Sequence, residues 1–252
     1  MIDTHTHLYD EKFDSETKPM IQRALNAGVT KLYMPNCFSE TIDPMLAIEK
    51  EFPETCFAMM GLHPCYVKED YKKELEIVAN WFEKRTFSAV GEIGLDYYWD
   101  KTFVKEQHEA FCTQMEIAIQ YKRPIVIHNR EATKDTIDLV RKYLPQGIRG
   151  VFHCFTGSLE TAKIITDMGF YLGIGGVVTY PKAGLQDVIN QIDLRHLVLE
   201  TDAPYLTPVP YRGKRNESSY LSHIAEKISS IKSIELDEVI RISNENANLL
   251  FA

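Results

Sequence analysis

Short apolar runs alternate along the chain with longer stretches in which apolar positions recur every third or fourth residue. The short runs read as strands buried on both faces, and the longer stretches as amphipathic helices. Strands are expected at Met1–His7, Val29–Pro35, Cys56–Leu62, Ala89–Ile93, Pro124–His128, Gly150–Cys154, Phe170–Gly175 and Leu197–Asp202. Helical spacing is seen between them at Pro19–Ala27, Tyr71–Lys84, Val104–Tyr121 and Thr133–Tyr143, and beyond them at Ser219–Ser230 and Glu235–Leu250. Gly28, Pro124 and Pro145 stand where three of these helices have to stop.

Strands separated by helices imply repeated βαβ units and a parallel sheet. A chain of 252 residues suits a closed (β/α)8 TIM barrel, whose usual size is about 250 residues. A doubly wound open sheet is the alternative, but it is expected to carry a Gly-rich phosphate loop after its first strand. Here that strand runs into Thr4-His5-Thr6-His7. No linker, charge block or repeat divides the chain, so one barrel domain over residues 1–252 is expected.

Polar residues fall at one end of the expected strands, where a barrel gathers its catalytic groups. The strand ends carry His5 and His7, His63 just past Leu62, Glu92, His128, His153 and Asp202. The spacing of His5 and His7 points both imidazoles to one side of a strand, so that both can reach one metal ion. Glu92 lies among glycines in an apolar strand, where its charge needs either metal ions or an Arg or Lys partner. His128 and His153 each close an apolar run; singly, such a histidine is a satisfied core residue more often than a ligand. Asp202 can both ligate metal and accept a proton from water. Glu200 points the same way one layer deeper, as an orienting group or a structural ion pair. His108, His196 and His223 fall in helical or connecting segments.

Composition narrows the class. Hydrophobic residues at 44% and charged residues at 25% suit a globular core. No apolar stretch approaches the roughly 20 residues of a membrane helix, and the N-terminus lacks the pattern of a signal peptide. Five cysteines without a CxxC pair read as reduced thiols, and a cytoplasmic location is expected. Lys and Arg number 28 against 36 Asp and Glu, a net charge of −8. Such a chain is poorly suited to holding long nucleic acid by charge alone. An enzyme that grips a nucleic-acid end with a few cations and metal ions remains open.

The segments Ile2-Asp-Thr-His-Thr-His7, Gly61-Leu-His-Pro64, Gly91-Glu-Ile-Gly-Leu-Asp96, Pro124-Ile-Val-Ile-His128, Phe152-His-Cys-Phe155, Leu199-Glu-Thr-Asp-Ala-Pro-Tyr-Leu206 and Arg212-Gly-Lys-Arg-Asn216 occur in this order. With them the sequence resembles the TatD-type metal-dependent deoxyribonucleases, a branch of the amidohydrolase superfamily. The resemblance implies a barrel with two divalent metals at its mouth. The first would be held by His5, His7, Glu92 and Asp202, and the second by Glu92, His128 and His153, with Glu92 bridging. His63 would sit beside them, near a phosphate or leaving group. Magnesium is favoured in solution, with zinc or manganese as possible occupants. The chain departs from the family at Ser218-Ser219, where a proline usually follows Glu217.

The activity expected is metal-dependent hydrolysis of DNA from single-stranded or 3′ ends, with Asp202 accepting a proton from water and His63 donating on the leaving side. Arg212, Lys214 and Arg215 offer cations to backbone phosphates, or simply form a solvated loop. Tyr97-Tyr98-Trp99 suits stacking on an unpaired base, with packing against the barrel as the default. No membrane association or obligate protein partner is expected. The alternatives are ester or amide hydrolysis on the same centre, such as D-aminoacyl-tRNA deacylation, and a non-catalytic metal-bearing scaffold.

Overall fold

The computed structural model describes the backbone of residues 1–252 and every side chain except that of Asp14. Strand and helix alternate as β1 (Ile2–Asp3), α1 (Thr17–Asn26), β2 (Lys31–Met34), α2 (Ser39–Glu51), β3 (Cys56–Ala58), α3 (Tyr71–Lys84), β4 (Val90–Asp96), α4 (Val104–Tyr121) and β5 (Ile125–Arg130). The series continues as α5 (Thr133–Tyr143), β6 (Gly150–Phe152), α6 (Leu159–Asp167), β7 (Tyr171–Ile174), α7 (Leu185–Gln191), β8 (Leu197–Leu199), α8 (Leu221–Lys232) and α9 (Leu236–Leu250). Helices α2, α6 and α7 add to those read from periodicity. Pro44 lies inside α2, and α7 is only seven residues long, so neither shows an extended helical stripe.

All pairings are parallel, in two arcs ordered β1-β2-β3 and β4-β5-β6-β7-β8. Two seams close the ring. At the first, Met60 bridges to Val90 and the Gly91 N–H donates to Met60 O at 3.0 Å. At the second, Thr4 N–H donates to Leu199 O at 3.0 Å and Asp202 N–H to His5 O at 2.9 Å. The Asp3 carboxylate reinforces this seam by accepting from Thr201 N–H at 2.9 Å and Thr201 Oγ1 at 2.6 Å. The result is the expected eight-stranded parallel barrel.

Strands β1, β3, β6 and β8 stop sooner than their apolar runs suggest, and beyond them the pairing continues only as isolated contacts such as Thr6 with Ala203 and Met60 with Val90. At the opposite end a single layer of side chains fills the barrel: Ile2, Tyr33, Met59, Ala89, Val126, Val151, Tyr171 and Val198, one from each strand or its margin. Phe251, just past α9, stacks on Tyr33 at 3.8 Å and plugs that end. With one end closed by apolar packing, the polar strand ends face the only open mouth of the barrel.

Candidate metal centre

Glu92 stands at the middle of the mouth because β4 is irregular. Val90 pairs with Ile125 and Ile93 with Ile127, so β4 carries one extra residue between them. Such a bulge re-aims the side chain within it. Gly94 permits the close approach of β5: at φ 145° it has no Cβ, and one placed there would lie 2.0 Å from His128 O. Asp202, three residues past β8, takes the left-handed conformation at φ 54°, one that Asp tolerates better than most residues.

The two oxygens of Glu92 face different sets of donors. Oε2 lies 3.2 Å from His5 Nε2 and 3.7 Å from His7 Nε2, and Asp202 Oδ1 lies 3.7 and 3.4 Å from the same two nitrogens. Oε1 lies 2.9 Å from His128 Nδ1, 3.1 Å from His153 Nε2 and 3.5 Å from His63 Nε2. Among the described residues no Lys or Arg pairs with Glu92 or Asp202, which removes the ordinary ion-pair explanation of the buried carboxylate. The ligand atoms fall into clusters of three within 4.8 Å of one another, His5, His7 and Glu92 on one side and His5, His153 and Asp202 beside it, with His63, Glu92 and His128 on the other. The donor set therefore fits divalent metal on both sides of Glu92.

The electrostatics agree. Burial works to raise the Glu92 carboxyl, but His153, His63, His5 and His128 hold it well below the usual carboxylate range. Burial also opposes ionisation of Asp202, and His7, His153 and His5 bring its pKa down. Burial disfavours charge on His153 too, yet Glu92 and Glu200 raise its pKa well above that of free imidazole. His5 and His63 go the other way, kept below the imidazole range chiefly by burial.

Outer groups face the nitrogens of His7, His128, His153 and His63 that point away from Glu92, whereas the buried Nδ1 of His5 has no hydrogen-bond partner among the described residues. His128 Nε2 contacts Asp96 Oδ2 at 2.8 Å, leaving Nδ1 toward Glu92. His7 Nδ1 donates to Tyr9 Oη at 3.0 Å, and that hydroxyl donates to Pro35 O, leaving His7 Nε2 inward. His153 Nδ1 lies 3.3 Å from Glu200 Oε1, an oxygen that also accepts from Cys154 N–H. Gly173 makes room for this carboxylate, since a Cβ there would lie 2.3 Å from Glu200 Oε2. His63 differs: its Nδ1 accepts from Cys65 N–H at 3.1 Å. The neutral ring then carries its proton on Nε2 and points a donor, not a lone pair, toward the centre.

Asp96 and Tyr9 had no assigned role in the sequence reading. Asp96 was within reach, since it alternates with Glu92 and Gly94 along one strand. For Tyr9 no such signal exists. The basic loop after β8 is split by the structure. Arg215 pairs with Glu16 and donates to Lys12 O at 3.0 Å, whereas Arg212 and Lys214 are exposed, Arg212 lying 4.1 Å above the Tyr180 ring. Of the aromatic triplet, Tyr97 is partly buried against His108 and Asp135, while Tyr98 and Trp99 are exposed. His108, His196 and His223 lie away from the centre, in α4, before β8 and in α8.

The sequence pattern of the family described as TatD related DNase matches residues 2–252. The metal-dependent hydrolase YabD of Bacillus subtilis, itself uncharacterized, is 36% identical over 252 residues, covering 100% of this chain and 98% of its own length. The 3′-5′ ssDNA/RNA exonuclease TatD of Pantoea ananatis is 30% identical over 257 residues, covering 100% of this chain and 99% of its own. Among solved structures, the TatD homologue YjjV of Escherichia coli superposes with a TM-score of 0.94 at 30% identity, over 100% of this chain and 97% of its own. Among the described residues no helix is long and apolar enough to cross a membrane. With its barrel and its carboxylate-bridged ring of histidines, the chain belongs to the TatD family of metal-dependent hydrolases.

Proposed function

We propose that the protein is a 3′–5′ exonuclease that removes nucleotides from the 3′ end of single-stranded DNA. The observation that carries this reading is the division of labour around Glu92: two donor sets on opposite oxygens, with a neutral histidine N–H directed at the same place. The similarity to the Pantoea ananatis exonuclease supports the substrate class.

His5, His7, Glu92 and Asp202 would hold one divalent ion, and Glu92, His128 and His153 a second, with magnesium favoured. Ions bound there supply positive charge to a scissile phosphate and acidify water at neutral pH. The chain's own groups do the rest. Asp202 presents Oδ1 to the His5 and His7 nitrogens and accepts the proton of the attacking water through its carboxylate. His63, kept neutral by burial, points its Nε2–H at the leaving oxygen as a hydrogen bond without giving up the proton, and the leaving oxygen takes its proton from the Asp202 carboxyl or from solvent. Arg212 and Lys214, exposed beside the mouth, steady the flanking phosphates.

The test uses single-stranded DNA labelled at either end and metal-stripped protein resupplied with magnesium, manganese or zinc. Metal-dependent release of mononucleotides from the 3′ end is expected, with a fall of about a hundredfold or more in Asp202→Asn, the scale of losing a general base. Release no faster than in Asp202→Asn with every metal defeats the assignment, as does release from the 5′ end.

A further inference from the structure

Eight large hydrophobic side chains are exposed among the described residues, and six of them lie in loops at the mouth: Tyr66, Tyr98, Trp99, Tyr205, Leu206 and Val209. The most exposed is Trp99 at 67%, with Tyr98 at 48% beside it. Their rings meet at 84° with centroids 4.9 Å apart, forming a corner. The Arg130 guanidinium lies 3.7 Å from the Tyr98 ring centre and 5.2 Å from that of Trp99, and no carboxylate pairs with it among the described residues. An indole left in water has an apolar cost that packing against the barrel would remove. Here the neighbouring ring, Tyr97, takes the packed position instead.

The corner is tied to the metal centre by one carboxylate. Asp96 Oδ1 accepts from the N–H groups of Tyr98 at 2.9 Å and Trp99 at 3.1 Å, while Asp96 Oδ2 holds His128. Arg130 is fixed to the same frame, because its backbone lies in register with that of Asp96 across β4 and β5 and its carbonyl accepts from Tyr97 N–H at 2.9 Å. Aromatic faces and an unpaired guanidinium beside a phosphodiester-cleaving centre match one ligand chemistry: a flat π-system linked to phosphate.

The geometry points to Trp99, with Tyr98 and Arg130, as a subsite that stacks an unpaired nucleobase of the strand whose phosphate lies at the metal centre. This deepens the exonuclease reading and rests on it. A base inside a duplex has both faces covered by its neighbours, so the subsite selects single-stranded ends.

The protein contains two tryptophans, Trp81 and Trp99, so a Trp81→Phe protein reports on Trp99 alone. Metal-loaded Trp81→Phe is titrated with a phosphorothioate-linked thymidine decamer, which resists cleavage, and with an abasic strand of the same length. Quenching of the indole by the decamer and not by the abasic strand is expected. Equal responses to the two strands, or none to either, overturn the subsite. In parallel, Trp99→Ala is expected to raise KM for a single-stranded oligonucleotide about tenfold, the effect of losing one base stack, with kcat changed by less than about twofold. Trp99→Phe should recover most of that loss, and both variants should match the wild type on the abasic strand. An unchanged KM in Trp99→Ala also overturns the subsite. Base-dependent quenching without nucleotide release would uphold the subsite and fail the exonuclease reading alone.

Discussion

Asp96 holds His128 by the nitrogen that faces away from Glu92 and so sets which lone pair points inward, while Glu200 lies as a charge 3.3 Å from the outer nitrogen of His153. Burial opposes ionisation of Asp96, yet the bonds from His128 and from the Trp99 and Tyr98 N–H groups bring its pKa well below the usual carboxylate range. Its charge is therefore permanent at working pH, and it keeps His128 Nε2 protonated and Nδ1 directed at the centre. Asp96→Asn keeps the shape and removes the charge. A loss of about 10- to 100-fold in zinc affinity is expected, as for other outer partners of metal-bound histidines. Competition with a chromophoric chelator reads it directly, and an unchanged affinity would show that Asp96 does not serve His128. The histidines and Glu92 were legible as candidates because each is a polar residue at the end of an apolar run. The inward donor of His63 was not legible, since it depends on a backbone N–H from Cys65 meeting Nδ1 in a turn just past β3.

The loop between β8 and α8 lacks the proline usual in the family after Glu217, and the structure shows what holds it. Arg23 on α1 grips Glu217 with Nε at 3.0 Å from both oxygens and Nη2 at 2.6 Å from Oε2. Ser218 Oγ reaches Thr6 at 3.3 Å. A helix near the start of the chain thus anchors the loop after its last strand. Burial works to raise the Glu217 carboxyl, but Arg23 and Ser219 bring it below the usual carboxylate value. A carboxyl with a lowered folded pKa stabilises the fold above its unfolded pKa, and that contribution fades as pH falls through the folded value. Glu217→Gln should thus cost about 1 kcal/mol at pH 7, discounted for the partial exposure of Arg23. The gap in Tm between variant and wild type should shrink below about pH 4. A gap that stays constant down to pH 3 would show that the Glu217 charge is not what matters. The pairing joins residues 194 positions apart, beyond the reach of any local pattern. Helices α1, α3, α4, α5, α8 and α9 were legible because their apolar stripes are long.

The barrel consists of two hydrogen-bonded arcs, and the candidate metal donors come from both. His5 and His7 follow β1 of the first arc, while Glu92, His128, His153 and Asp202 belong to the second. A cation held among them would cross-link the arcs at the seam where Thr4 bonds to Leu199 and Asp202 to His5. Metal should therefore raise stability as well as enable catalysis. An ion at a hundred times its Kd adds about 2.7 kcal/mol, which for a chain of this size corresponds to roughly 5–10 °C in Tm. Stripping with a chelator and scanning by calorimetry should show that loss, and readdition should restore it. A Tm unaffected by the chelator would mean that the centre holds no tightly bound ion.

The order of the strands, the six long helices, the closed barrel and the set of polar strand ends follow from the sequence alone. Each rests on a short-range periodicity, and a chain of alternating strand and helix has few ways to bury its apolar faces. Folding decides what periodicity cannot express. It sets the two opposed faces of Glu92, the nitrogen that each histidine turns inward and the capture of Arg215 by Glu16. It also leaves Trp99 in water at the mouth while Tyr97 packs. These depend on partners brought together from distant parts of the chain, where a rotation about one bond or one hydrogen bond determines whether a side chain presents a charge, a lone pair or a bare ring.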